Sequence, residues 1–202
     1  MRYFGLRYPG LIIALLAIAI ALSGRADAQS FGSSYTSTAE KDCRATTTGQ
    51  VSSASVCTGK AGLIVLLTED DLRQAVSVGR NRKAAESEPA ASQSFGAFNS
   101  TTATVEWRAV DGKPFAIIQR WHIADNDDPD KNGRPTDKSL MVVTRLPPGP
   151  VCHVAYVDVR ANPNPNELAR KAADEIARDF KCGKDEVKII GERGRAVELA
   201  KR

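Results

Sequence analysis

Apolar and polar positions alternate most regularly between residues 103 and 159. Val105, Trp107 and Ala109 alternate with Glu106 and Arg108, and Phe115, Ile117 and Trp121 alternate with Ala116, Ile118 and Arg120. A period of two predicts half-buried strands. Asp111-Gly112-Lys113 between them predicts a hairpin turn. A three-residue loop pairs Val110 with Pro114, Ala109 with Phe115 and Trp107 with Ile117, setting the aromatic side chains on one face. A two-residue loop pairs Arg108 with Phe115 and scrambles the faces, because a slip of one residue inverts every side chain.

A second hairpin is predicted from residues 140–146 and 151–159 around Pro147-Pro148-Gly149-Pro150. The prolines lack a donor N–H and stop the ladder. Pairing Leu146 with Val151 sets Arg145 beside Cys152, Val143 beside Val154 and Met141 beside Tyr156. Leu140, Val142, Ala155 and Val157 fall on the other face. Both faces are apolar, so cover is expected on both sides.

One cover is legible. Asn164 suits a helix cap, Pro165 the first helical position and Glu167 the capping box. Leu168, Ala172, Ala173, Ile176 and Phe180 then make an apolar stripe at helical spacing, and Gly183 is a stop signal. The second face needs residues 63–78, which include the strand-length run Leu63-Ile64-Val65-Leu66-Leu67, or else a second copy of the chain. Residues 80–101 read as a loop, and 187–190 as an edge strand followed by a frayed, charged end. The expected fold is α+β: an antiparallel sheet of about five to seven strands with one C-terminal amphipathic helix on one face, stabilised by two disulfides.

Residues 1–28 read as a secretory signal peptide. Arg2 and Arg7 precede an uncharged apolar run over residues 11–22, and Ala26-Asp27-Ala28 fits a small-residue cleavage site. The run is short for a membrane span, which needs about 20 apolar residues, so no stable membrane insertion is expected after cleavage. Residues 29–56 are rich in Ser and Thr and read as an exposed N-terminal arm. Residues 57–202 make a single domain. Export to a periplasmic or extracellular space favours disulfides, and the four cysteines pair most simply as Cys43–Cys57 and Cys152–Cys182. Spacings of 14, 95 and 30 residues do not suit a zinc site.

Composition adds exclusions. The 202 residues are 42% hydrophobic, 26% charged and 6% aromatic, which excludes collagen-like, wholly disordered and multi-span membrane classes. The net charge of +4 falls to +2 once Arg2, Arg7, Arg25 and Asp27 leave with the leader. That small excess argues against a nucleic-acid partner. So does the basic run Arg80, Arg82 and Lys83, which has no interleaved aromatics for stacking.

Candidate chemistry is sparse. Asp128-x-Asp130-x-Asn132-Gly133, with Asp125, Asp127 and Asp137 nearby, matches the opening of a calcium loop. It departs from that pattern at Ser139, where a bidentate Glu belongs, and a solvated turn accounts for the same residues. Calcium is the one cofactor suggested. His122 and His153 each have the chemistry of a general base or metal ligand, but neither sits in a catalytic spacing. Glu106, Arg108, Arg120 and His122 share the outward face of the first hairpin, a polar patch suited to an anionic or sugar ligand. Cross-strand charge pairing is the alternative explanation. Asn99-Ser100-Thr101 is formally a glycosylation sequon.

Three functions fit. The first is a small exported, non-catalytic binding module for an unknown protein or envelope ligand. The second is a structural envelope protein that forms a homodimer through an uncovered sheet face. The third is a hydrolase of cell-wall or extracellular polymer, using Glu106 with one of the carboxylates between Asp125 and Asp130.

Overall fold

The computed structural model describes residues 29–48 and 52–201, together with Met1 and Gly5. The rest of the segment read as a leader lies outside the described residues. The strands are β1 (Phe31–Ser37), β2 (Cys43–Thr48), β3 (Ser52–Thr58), β4 (Ile64–Asp70), β5 (Arg73–Gly79), β6 (Asn99–Val110), β7 (Lys113–Pro129), β8 (Pro135–Arg145), β9 (His153–Asp158) and β10 (Lys188–Ile189). The helices are α1 (Arg82–Glu86), α2 (Pro165–Ala172) and α3 (Arg195–Ala200). The strands form one sheet in the order β10-β9-β8-β7-β6-β5-β4-β3-β2, with β1 beside β6.

Among the described residues the sheet therefore has ten strands, not five to seven, and it is mixed. β5 meets β6 in parallel at Arg73 and Asn99, and β10 runs parallel to β9. The additional strands come from residues 31–58, which include most of the segment 29–56 read as an arm. Their Ser and Thr side chains carry no hydrophobic alternation. What recruits them is main-chain pairing: β1 with the distant residues 104–110 of β6, and β3 with all of β4, the next strand along the chain.

Both faces of β7–β9 are covered within the chain. On the inner face Trp107, Ile117, Trp121, Leu140, Val142 and Tyr156 pack against Val65, Val76 and Val78 of the β4–β5 hairpin. On the outer face Ala116, Ile118, Met141, Val143, Ala155 and Val157 pack under Ala169, Ala172, Ala173, Ala177 and Phe180. Leu140, Val142 and Val157 are at most 1% exposed, so the uncovered face on which a homodimer was expected is not present. Asn164 makes no side-chain cap bond; its carbonyl accepts from Leu168 N at 3.1 Å. After Ala172 the helix widens into a π turn over Ala173–Ala177. The wider turn rotates the buried stripe, so Ala177 enters the core and Ile176 stays at its margin.

Two β-bulges correct the predicted registers. Asp111 and Gly112 form a two-residue turn with φ of 49° and 76°, pairing Val110 with Lys113. A bulge at Phe115 then absorbs one residue and restores Trp107 opposite Ile117. Phe115 consequently joins the helix side, against Phe31 at 6.0 Å, while Ile117 and Trp121 point into the inner core. In the second hairpin Arg145 N donates to Cys152 O, and a bulge at Val154 moves Tyr156 opposite Val142 and Val157 opposite Met141. Tyr156 thereby faces inward and Val157 faces the helix.

Cys43 and Cys57 are opposed across β2 and β3 and form one disulfide. Cys152 and Cys182 form the other, fixing the end of the helical segment to the start of β9. The region expected to fray after β10 instead folds as α3, and Ala196, Val197 and Leu199 enter the inner core. Asp158, 2% exposed, accepts from Ala196 N at 2.9 Å and so caps this helix from β9. Among the described residues no helix is long and apolar enough to cross a membrane.

Candidate functional site

Side chains on the helix-facing side of β7 are Ala116, Ile118, Arg120, His122 and Ala124, by strand alternation. α2 and the π turn that follows it cover the first two. Beyond its edge the face turns polar, and a groove of about 370 Å³ opens there. Its floor is Ile118 and Met141. Its walls are Tyr35 from β1, Thr102, Thr104 and Glu106 from β6, and Asn166 and Arg170 from α2. Arg120 projects into it from β7.

Most charges around this groove are already paired. Arg170 donates from Nε to Glu106 at 2.6 Å and from Nη2 at 3.2 Å, and also reaches Tyr35 Oη at 3.3 Å. The Glu106 carboxylate in turn raises the Arg170 pKa. Arg108 binds Asp174 in a fork, with distances of 3.0 and 2.6 Å, and donates to Ser33 Oγ at 2.7 Å. Ser33 donates to Glu106 and closes the network. Glu106 and Arg108 are each 7% exposed. Charge pairing therefore accounts for two of the four residues of the outward patch; they lock α2 to the sheet. Arg120 is different. It is half-buried, and its side chain makes no hydrogen bond or ion pair among the described residues.

His122 sits one step further along β7, with Nδ1 3.2 Å from Ser139 Oγ. It lines a separate hollow of about 220 Å³ with Phe98, Ser100 and Asp137. Asn99 of the sequon is 6% exposed, and its amide is occupied by the main chain of Phe95, Ala97 and Gln74.

The acidic loop is knitted by its own contacts. Asp128 accepts from Thr136 and Lys138, and Asp130 accepts from the Asn132 and Arg134 amides at 2.7 and 3.0 Å. These bonds hold both carboxyls below the ordinary range. Asp125, 1% exposed, takes a bidentate bond from Arg195 of α3 at 2.7 Å to each oxygen, which lowers its pKa. Among the described residues no three His, Cys, Asp or Glu side chains gather as a metal cage. Glu106 lies on the helix side of the sheet and Asp125 on the inner side, each holding an arginine. That pair does not face across one groove.

Tyr35, Thr102, Asn166 and Arg170 carry no signal in the sequence. Tyr35 reaches the groove only because β1 pairs with β6, and Asn166 and Arg170 only because the helix crosses back over it. Comparison with family models, curated proteins and solved structures finds no match to this chain.

Proposed function

We propose that the chain is a small exported binding module that holds an anionic ligand on Arg120. The observation that carries this reading is the one uncompensated cation in a groove whose other charges are neutralised. A guanidinium that has lost part of its water and has no partner gains most from a carboxylate or comparable anion, which it binds through two parallel hydrogen bonds. The groove volume falls in the usual range for small-molecule sites, about 300–1,000 Å³. Its Thr, Asn and Tyr groups are donors and acceptors for orientation, and Ile118 and Met141 form an apolar floor. A binder is favoured over a catalyst because Glu106, the carboxylate of the groove, is held by Arg170 and Ser33. Two disulfides and the leader-like segment support export.

Titration of the disulfide-intact protein with acetate and with sulfate, followed by NMR at arginine Nε–Hε, tests the site. The Arg120 resonance is expected to shift saturably and the Arg108 and Arg170 resonances to move little. The saturable shift should vanish in Arg120→Met. No saturable shift with either anion overturns the reading.

A further inference from the structure

The face of β7 that carries Arg120 continues beyond the groove. Two residues along the same face of β7, about 7 Å away, His122 lines the second hollow. Across the strands, Ser100 and Ser139 flank His122 by register. Hydroxyls thus continue along the face from Thr104 and Thr102 to Ser100, with an exposed aromatic at each end. Tyr35 is 53% exposed and Phe98 is 42% exposed. Phe98 is braced by the Arg73 guanidinium, 4.9 Å from its ring centre. Beside it Leu72 is 58% exposed and sits in the left-handed region at φ 60°. A branched side chain there is strained, and a turn that needed only its backbone would take Gly or Asn.

We infer, on the strength of the anion site at Arg120, that this face binds an extended oligosaccharide carrying an acidic sugar at Arg120 and a neutral sugar toward Phe98. Three features select that class. The central strands β6–β8 have neighbours on both sides, so an extended peptide would find no free ladder to pair with. Side-chain hydroxyls, amides and aromatic faces are what a polyhydroxylated chain uses. The charges also have a direction: cationic Arg120 at one end, and Glu69 and Asp137 lining the Phe98 end. Those carboxylates accept from sugar hydroxyls and repel a second acid.

Calorimetric titration with a hyaluronan tetrasaccharide, free glucuronate, tetragalacturonate and chitotetraose separates the claims. Hyaluronan alternates acidic and neutral sugars, and is expected to bind about tenfold or more tighter than glucuronate. Tetragalacturonate, acidic throughout, and chitotetraose, neutral throughout, should both be weaker than hyaluronan. Phe98→Ser and Leu72→Asn should remove the gain from chain length and leave glucuronate affinity unchanged. Arg120→Met should weaken hyaluronan and glucuronate alike. If the tetrasaccharide binds no tighter than glucuronate, or Phe98→Ser leaves its gain intact, the extended site is overturned and the anion site stands. If chitotetraose or tetragalacturonate matches hyaluronan, the assigned charge order is wrong. If no sugar binds while acetate or sulfate does, the saccharide class is rejected alone. If Arg120→Met changes nothing, both readings fall together.

Discussion

His153 is an ionisable side chain held where its charged form finds nothing to stabilise it. It is 1% exposed and ringed by Phe95, Trp121 and Tyr156 at 5.7–6.3 Å. Nδ1 shares a hydrogen bond with Tyr156 Oη at 2.9 Å, and Nε2 has no partner. Burial lowers its pKa from 6.5 to about 3. The unfolded chain therefore takes up a proton below pH 6.5 that the folded chain refuses until about pH 3. This residue's contribution to stability is complete above pH 6.5 and is lost progressively as the pH falls. The slope reaches about 1.4 kcal/mol per pH unit. The depressed carboxylates Asp125, Asp128 and Asp130 act lower, below their ordinary value of 3.8. Urea melts between pH 6.5 and 4.5 should thus report mainly His153, and His153→Gln should flatten the dependence; an equal slope in the variant would assign it elsewhere. Arg195→Ala removes the main partner of Asp125 and should lower the urea midpoint at pH 7; an unchanged midpoint would show that the pair adds no stability. Arg120→Met, by contrast, breaks no bond, and its melting temperature should equal or exceed that of the parent.

At the scale of elements, what the sequence made legible was local. The strands of both hairpins, the helix start at Pro165 and the two nearest-neighbour disulfides all follow from alternation, turn residues and proximity along the chain. The bulges do not. At Phe115 and Val154 the alternation is interrupted by residues that are themselves apolar, so either face accepts them, and only packing against the helix decides. The two disulfides should differ in weight. The chain-entropy estimate is about 3.6 kcal/mol for the Cys152–Cys182 loop and about 3 for Cys43–Cys57. The double variant Cys152→Ala/Cys182→Ala should therefore lower the denaturation midpoint more than Cys43→Ala/Cys57→Ala. The bidentate Arg108–Asp174 and Arg170–Glu106 links should still hold α2 in place, so far-UV helicity should change little. Leu72→Asn relieves a strained turn and should stabilise by up to about 1 kcal/mol. A gain in stability joined to a loss of oligosaccharide affinity would mark strain kept for binding.

At the scale of the whole molecule, a composition-based view of residues 29–56 as an arm misses how far their partners lie along the chain. β1 joins β6 at separations of 67 to 79 residues, from Ser37 beside Thr104 to Phe31 beside Val110. Main-chain pairing carries no residue-type signature, so Ser and Thr strands are invisible to hydrophobic patterning. The candidate site shares this blindness: Arg120 was legible as an outward cation on β7, but its isolation emerges only once α2 has neutralised Glu106 and Arg108. Covered on both faces, with the exposed large apolar residues described beyond the leader-like segment, Phe31, Tyr35, Leu72 and Phe98, spread over several elements, the protein without that segment should sediment as a monomer at micromolar concentration. A dimer would point to an edge strand rather than a sheet face.

α3 seals the inner core with residues that leave the ribosome after every strand they touch. Until Ala196, Val197 and Leu199 emerge, the strands bearing Trp121, Leu140 and Tyr156 can pair, but their hydrophobic interior stays open at one end. The inner core is therefore completed only once these residues, the most C-terminal of its described members, have been made.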